Sequence, residues 1–234
     1  MKAEIKKREE VASETLLVVF DLLGKNVEFK PGQFFFVELI DPPYKDEKGG
    51  RHFSFVNSPR EKGVITMATR LRDSAFKRSL AEMPLGSEVV IVDGGGDFTL
   101  PDEGEKPLVL VAGGIGIAPF ISMTRYVIEA GLDYHISLLY SNRDRQSAAF
   151  LEELEDRAKN NEHLELILTM TDDPAWEGET RKIDREFISD YVEDPGSNTF
   201  FVAGPPAMNK AVLSELVKFG IGKEDVKVSD FAGY

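Results

Sequence analysis

Residues 111–120 read VAGGIGIAPF, with three glycines in four positions between an apolar run and a segment of helical spacing. Val109 to Ala112 complete a buried strand, and Gly113, Gly114 and Gly116 then bring no side chain to fend off a ligand. Amides at a helix start, aided by the helix dipole, can point at a pyrophosphate there. Pro119 suits a first helical turn, where its missing N–H costs nothing. A second cluster, YSNRDR at 140–145, follows the next apolar run. A carboxylate at such a strand end suits the free ribose hydroxyls of NADH, whereas cations and hydroxyls suit the 2′-phosphate of NADPH. Ser141, Arg143 and Arg145 supply the second set, with Asp144 the only acid among them, which favours NADPH while keeping NADH as a candidate.

Two kinds of element must carry these residues. In the first hundred, strand-like runs rich in Val, Ile, Phe and Thr recur every ten to fifteen residues: EIKKREEV, TLLVVFDL, GQFFFVELI, RHFSFVNS, GVITMATR and SEVVIVD. That spacing predicts an antiparallel barrel or sandwich. DSAFKRSLAEM interrupts it with a short helix, capped by Asp73 or Ser74. GGGDFTLPDEGEKP reads as a connection between domains. From Pro107 apolar strands alternate with amphipathic helices, which predicts a parallel sheet with helices on both faces and a closing edge strand in EDVKVSDF. Ligands of such sheets lie beyond the carboxyl ends of the strands, where AGGIG, YSNR and AGPP all fall. The expected division is an antiparallel β-barrel domain at 1–103 and a doubly wound α/β domain at 104–234.

Bulk properties narrow the function. With 234 residues, 42% of them hydrophobic, the chain can bury a real core. A net charge of −13 opposes nucleic acid and anionic lipid as partners. The chain has no cysteine, which removes disulfides, thiolate metal sites, iron–sulfur clusters and thiol catalysis. His52, His135 and His163 are scattered along it and predict no zinc set, so no metal is expected. MKAEIKKREE has no apolar signal core, and no run reaches the ~20 apolar residues of a membrane span. A cytoplasmic protein without membrane insertion is expected, acting alone or as one piece of a complex.

Three motifs occur in order: RHFS at Arg51–Ser54, GGIGIAP at Gly113–Pro119 and AGPPAM at Ala203–Met208. On a barrel followed by an α/β domain, this order resembles the ferredoxin–NADP reductase superfamily over essentially the whole chain. The resemblance implies an FAD on the barrel and a nicotinamide dinucleotide across the sheet, its nicotinamide directed at the flavin. It assigns Arg51 to flavin phosphate, Phe53 to ring packing and Ser54 to hydrogen bonding near flavin N5, with His52 between them. Phe53 stands where Tyr is commoner, so a hydroxyl contact to the flavin side chain is lost. Ser74 to Lys77, at the start of the barrel's helix, would meet the second phosphate and so favour FAD over FMN. Phe76 lies within that stretch, Arg70 and Arg72 can share its task, and Thr69 joins the flavin-binding set. DGGGDF matches the family's linker motif only at Gly96 and Phe98, so it is expected to act first as a hinge and second as a ligand contact.

AGPPAM carries Ala203 in place of the family's cysteine. Gly204, Pro205 and Met208 would still shape the nicotinamide pocket. In the tail SDFAGY, Phe231 or Tyr234 would cover the flavin face that nicotinamide must reach, and Asp230 would place a carboxylate near the ring. Ser54, Asp230 and Tyr234 form the expected catalytic set. The implied function is a flavin-dependent NAD(P)H oxidoreductase that passes hydride to FAD N5 and electrons to an unidentified acceptor, which can be a redox protein. The alternative is an electron-transfer subunit that works only docked on a partner such as an oxygenase or hydrogenase. A flavin-binding module without turnover is disfavoured by the intact dinucleotide half. A dihydroorotate-dehydrogenase-type partner subunit is disfavoured because its cysteine-bearing segment is missing.

Overall fold

A computed structural model of the chain describes residues 1–45, 49–101 and 106–231. It contains two compact units, Met1–Leu100 with Ala118–Glu129, and Pro101–Ile117 with the chain from Ala130 onward. In the first unit, six antiparallel strands form one sheet in the order β4-β3-β6-β1-β2-β5. They are β1 (Lys2–Ala12), β2 (Thr15–Asp21), β3 (Phe34–Leu39), β4 (Gly50–Ser54), β5 (Val64–Arg70) and β6 (Glu88–Gly95). All six coincide with the alternating runs of the sequence, because period-2 patterning puts one set of side chains on one face. Ala3, Ile5, Val18, Phe20, Phe35, Val37, Ile65, Met67, Val89 and Ile91 are fully buried. The chain after β4 then meets β5. Val56 N–H donates to Thr66 O at 2.9 Å, and Asn57 Oδ1 accepts Thr66 N–H at 2.8 Å. These bonds join the two edges and close the sheet into a barrel.

Helix α1 (Ala75–Glu82) starts at Ser74, whose side chain accepts from Lys77 N. Arg8 holds its far end by donating to Leu80 O at 3.1 Å and to Ala81 O. Helix α2 (Ala118–Ala130) belongs by its packing to the barrel unit as far as Glu129. Ser122 Oγ donates to Asn57 O at 2.7 Å, and Phe120 lies 5.7 Å from Phe98. One expectation is corrected here. Gly94 and Gly95, read as a hinge, are the last residues of β6, with Gly95 opposite Phe34. A Cβ at Gly94 would overlap Phe34 O, so its glycine permits close strand contact rather than flexure.

The second unit is a five-stranded parallel sheet in the order β11-β10-β7-β8-β9. Its strands are β7 (Leu108–Gly113), β8 (Ile136–Asn142), β9 (Leu164–Met170), β10 (Thr199–Gly204) and β11 (Val226–Asp230). The order reverses between β7 and β10, which is where open α/β sheets form their crevice. Every residue of β7 is buried, as expected of the middle strand of a covered sheet. Helices α3 (Leu151–Lys159), α4 (Arg185–Tyr191) and α5 (Pro206–Lys218) complete the unit. Phe187 and Ile188 of α4 and Val212 and Leu216 of α5 share one core with Val109, Val111, Phe200 and Val202.

Candidate functional site

On the barrel, Arg51 and Phe53 share one face of β4. The Arg51 guanidinium lies over the Phe76 ring, 5.3 Å from its centroid, and Phe53 stacks on the same ring at 5.9 Å. Lys77, one residue on, is only 6% exposed. Burial pushes its amine down to about 8, and the charges of Arg72 and Arg51 push it the same way. Three cations therefore converge at the first turn of α1, where helix-start amides lack intrahelical acceptors. Gathering partly desolvated like charges is costly. A diphosphate would relieve that cost, so the chemistry of this cradle fits the phosphates of a dinucleotide flavin.

The other barrel candidates fall differently. Strand alternation turns His52 and Ser54 to the face opposite Arg51 and Phe53. His52 is exposed there, between the rings of Phe34 at 5.3 Å and Phe36 at 5.0 Å. Ser54, half-buried, pairs with Phe34. The hydroxyl of Ser74 is occupied in capping α1. Thr69 is fully buried, its hydroxyl 3.4 Å from Arg70 O. Gly96 has a φ of 106°, sits against the Phe34 ring and accepts from Gln33 Nε2 at 3.2 Å.

On the parallel sheet, the turns after β7 and β10 press together at the strand switch. A Cβ on Gly113 would overlap Sδ of Met208, and one on Gly116 would overlap Ala203 O. Gly114 takes φ 53°, a left-handed value that glycine adopts at no steric cost. Gly113 to Ile117 then run directly into α2, with Pro119 buried in its first turn. Gly204 faces Met208 and the Gly113 backbone from the other side, and Pro205 is the exposed residue that precedes α5.

The end of β11 joins this edge. Asp230 pairs with Gly204, and its Oδ1 accepts from Asn209 Nδ2 at 2.8 Å. Phe231 N–H donates to Gly204 O at 3.1 Å, and its side chain is 9% exposed. Asp230 and Phe231 thus stand beside Gly204 and Met208, while Tyr234 lies outside the described residues. At the end of β8, Ser141 is flanked by Gly113 and Thr169. Arg143 is exposed and pairs with no carboxylate among the described residues. Arg145 is spoken for by Glu155 at 3.6 Å and by the Trp176 ring at 5.6 Å. Asp144 caps the next turn, accepting from Ser147 N at 2.7 Å. The acid of the cluster is therefore consumed locally, and Arg143 is its available cation.

Sequence reasoning passed over Asn142. It is 5% exposed, and neither its Oδ1 nor its Nδ2 finds a hydrogen-bond partner. Leaving such a group unpaired costs about 1–3 kcal/mol. The signal that could have found it is an amide side chain at the carboxyl end of an apolar strand.

Residues 110–214 match the family model of the oxidoreductase NAD-binding domain. Over 80% of its length the chain is 28% identical to one component of the Na(+)-translocating NADH-quinone reductase of Idiomarina loihiensis, and it spans 50% of that relative. The chain thus spans about half the length of this curated relative. Among solved structures, it superposes on the flavohem-like FAD/NAD-binding domain of nitric oxide dioxygenase from Vibrio cholerae with a TM-score of 0.87, at 15% identity and 98% coverage of both chains. It superposes on a ferredoxin NADP+ reductase from Neisseria gonorrhoeae with bound FAD and NADP with a TM-score of 0.82, at 18% identity and 98% coverage of both chains.

Proposed function

From a chain that has the ferredoxin–NADP reductase-like fold and an oxidoreductase NAD-binding domain at residues 110–214, we propose a cytoplasmic flavin-dependent NAD(P)H oxidoreductase, with residues 1–103 as its flavin domain and 104–234 as its nucleotide domain. Bound FAD would supply the redox chemistry, taking hydride from NAD(P)H at N5 and releasing two electrons to an acceptor. Arg51, Arg72, Lys77 and the first amides of α1 hold the flavin diphosphate. Phe53 and Phe76 give that cradle an apolar floor, and the Ser54 hydroxyl is assigned to N5. Gly113, Gly114 and Gly116 let the dinucleotide approach the backbone, and Pro119 starts the helix that follows. Gly204, Pro205 and Met208 shape the nicotinamide pocket, with Asp230 and Phe231 beside it. Ser141 and Arg143 meet the adenosine end.

The observation that carries this reading is the backbone-to-backbone contact of the two glycine turns at the reversal between β7 and β10. The likeness to one component of a larger enzyme favours a second reading, in which the acceptor is a partner protein. Anaerobic stopped-flow mixing of the FAD-loaded chain with NADH and with NADPH tests the first reading. Saturable loss of flavin absorbance is expected with at least one of them, and no reduction by either would overturn it. Fast flavin reduction with negligible turnover of small artificial acceptors would support the second.

A further inference from the structure

The histidines that are scattered along the chain are not scattered in space. His135 directly precedes β8 and His163 directly precedes β9, and the parallel ladder aligns these two strands from Ile136 opposite Leu164 onward. Ladder bonds of 2.8 Å pin both backbones, from Leu108 N–H to His135 O and from Ile136 N–H to His163 O. The two rings stand 4.4 Å apart. Asp133 lies two residues before His135, and burial alternates across them as in a strand: both are exposed, while the intervening Tyr134 is buried and its hydroxyl donates to Pro101 O at 2.6 Å. Residues i and i+2 of an extended chain share a face, so Asp133 and His135 both turn outward beside His163.

Donor atoms of Asp133, His135 and His163 all lie within 4.8 Å of one another. Neighbouring donors around a tetrahedral zinc ion are roughly 3.3 Å apart, given bonds of about 2 Å. Rotation of exposed side chains covers that difference. His163 Nδ1 is buried without a hydrogen-bond partner, 3.4 Å from Asp133 Oδ1. On its other side, Nε2 lies 3.6 Å from Glu162 Oε1. A carboxylate placed to accept the remaining N–H of a ligating imidazole orients the ring and fixes its tautomer.

We propose that Asp133, His135 and His163 form a surface site for a divalent transition-metal ion of the zinc class, with Nδ1 of His163 as a ligand and Glu162 orienting its ring. The −13 net charge of the chain favours cation capture. The site lies at the amino ends of β8 and β9, whereas the glycine turns lie at the carboxyl ends. Across the seven residues of β8 the two edges are roughly 20 Å apart. The ion would tie the start of edge strand β9 to β8 and would not enter the redox chemistry.

Calorimetric titration of Zn²⁺ into the purified full-length chain, with thermal unfolding followed in parallel, tests this. One ion per chain is expected, together with a raised melting temperature that EDTA reverses. His163→Ala should weaken binding at least tenfold. Asp133→Asn, at a side chain 83% exposed, should weaken it without disturbing the fold. Absence of binding, or equal binding by the wild type and both variants, would overturn the proposal, the latter placing the ion on unrelated surface carboxylates.

Discussion

Replacing Lys77 with Met should act in opposite directions on the apo chain and on flavin binding. Methionine keeps the apolar stem of the lysine and removes its charge. The amine of Lys77 falls from 10.5 to about 8, first through burial and then through Arg72 and Arg51. One unit of pKa corresponds to about 1.4 kcal/mol, so charged Lys77 costs the flavin-free fold at most roughly 3 kcal/mol. Its folded value lies below its unfolded value. The penalty is therefore complete below pH 8 and fades as pH rises from 8 to 10.5. Apo Lys77→Met should melt higher than the apo wild type at pH 7, by about 2–4 °C for each kcal/mol regained. That gap should close across the same pH window.

Flavin affinity should move the other way. Loss of a charge-assisted phosphate contact is worth about 1.5–3 kcal/mol, or roughly ten- to a hundredfold in Kd. A diphosphate beside Lys77 raises its pKa again, so binding near pH 9 takes up a proton and wild-type affinity declines as pH rises above 8. Calorimetry of FAD binding in two buffers of different ionisation enthalpy measures that proton. Were Lys77→Met to destabilise the apo chain, or to bind FAD with wild-type affinity and unchanged proton uptake, the cationic cradle would not be the phosphate site.

Three further outcomes follow from the same geometry. Arg51→Ala should weaken FAD binding by roughly 1.5–3 kcal/mol while leaving circular dichroism unchanged, because the guanidinium lies over the Phe76 ring rather than in the core; fluorescence titration of FAD checks it. Gly116→Val should separate the two glycine turns, since even a Cβ there overlaps Ala203 O; flavin reduction by NAD(P)H should slow at least tenfold with FAD content preserved. Arg143→Glu should raise the KM for NADPH more than that for NADH, because an exposed cation is replaced by a carboxylate that repels a 2′-phosphate and suits a free ribose; steady-state kinetics with both nucleotides would detect the change in ratio.

Much of this protein was decided by local pattern. The alternation that buries Val18 and Phe20 or Ile65 and Met67 is a period-2 signal that any extended chain must obey, and each expected strand of the barrel formed. The same holds for Ser74, whose short hydroxyl side chain caps α1 because the amide it meets is three residues away. The glycine turn after β7 was legible because an absent side chain is as visible in a sequence as a present one. Other features depended on residues remote in the chain. Gly94 looked like a hinge until β3 lay across it, and the Arg-x-Phe-Ser set was divided between two faces by the pleat of β4. Lys77 became unusual only when the fold buried its amine and then brought Arg72 and Arg51 against it, since desolvation and charge repulsion depend on burial and distance and not on order along the chain. Asp144, the one acid in the YSNRDR cluster, is occupied by a turn of its own, accepting from Ser147 N. His135 and His163 stand 28 positions apart in the sequence, and only the register of two parallel strands makes them neighbours, because a ladder converts equal offsets from two strand starts into lateral contact.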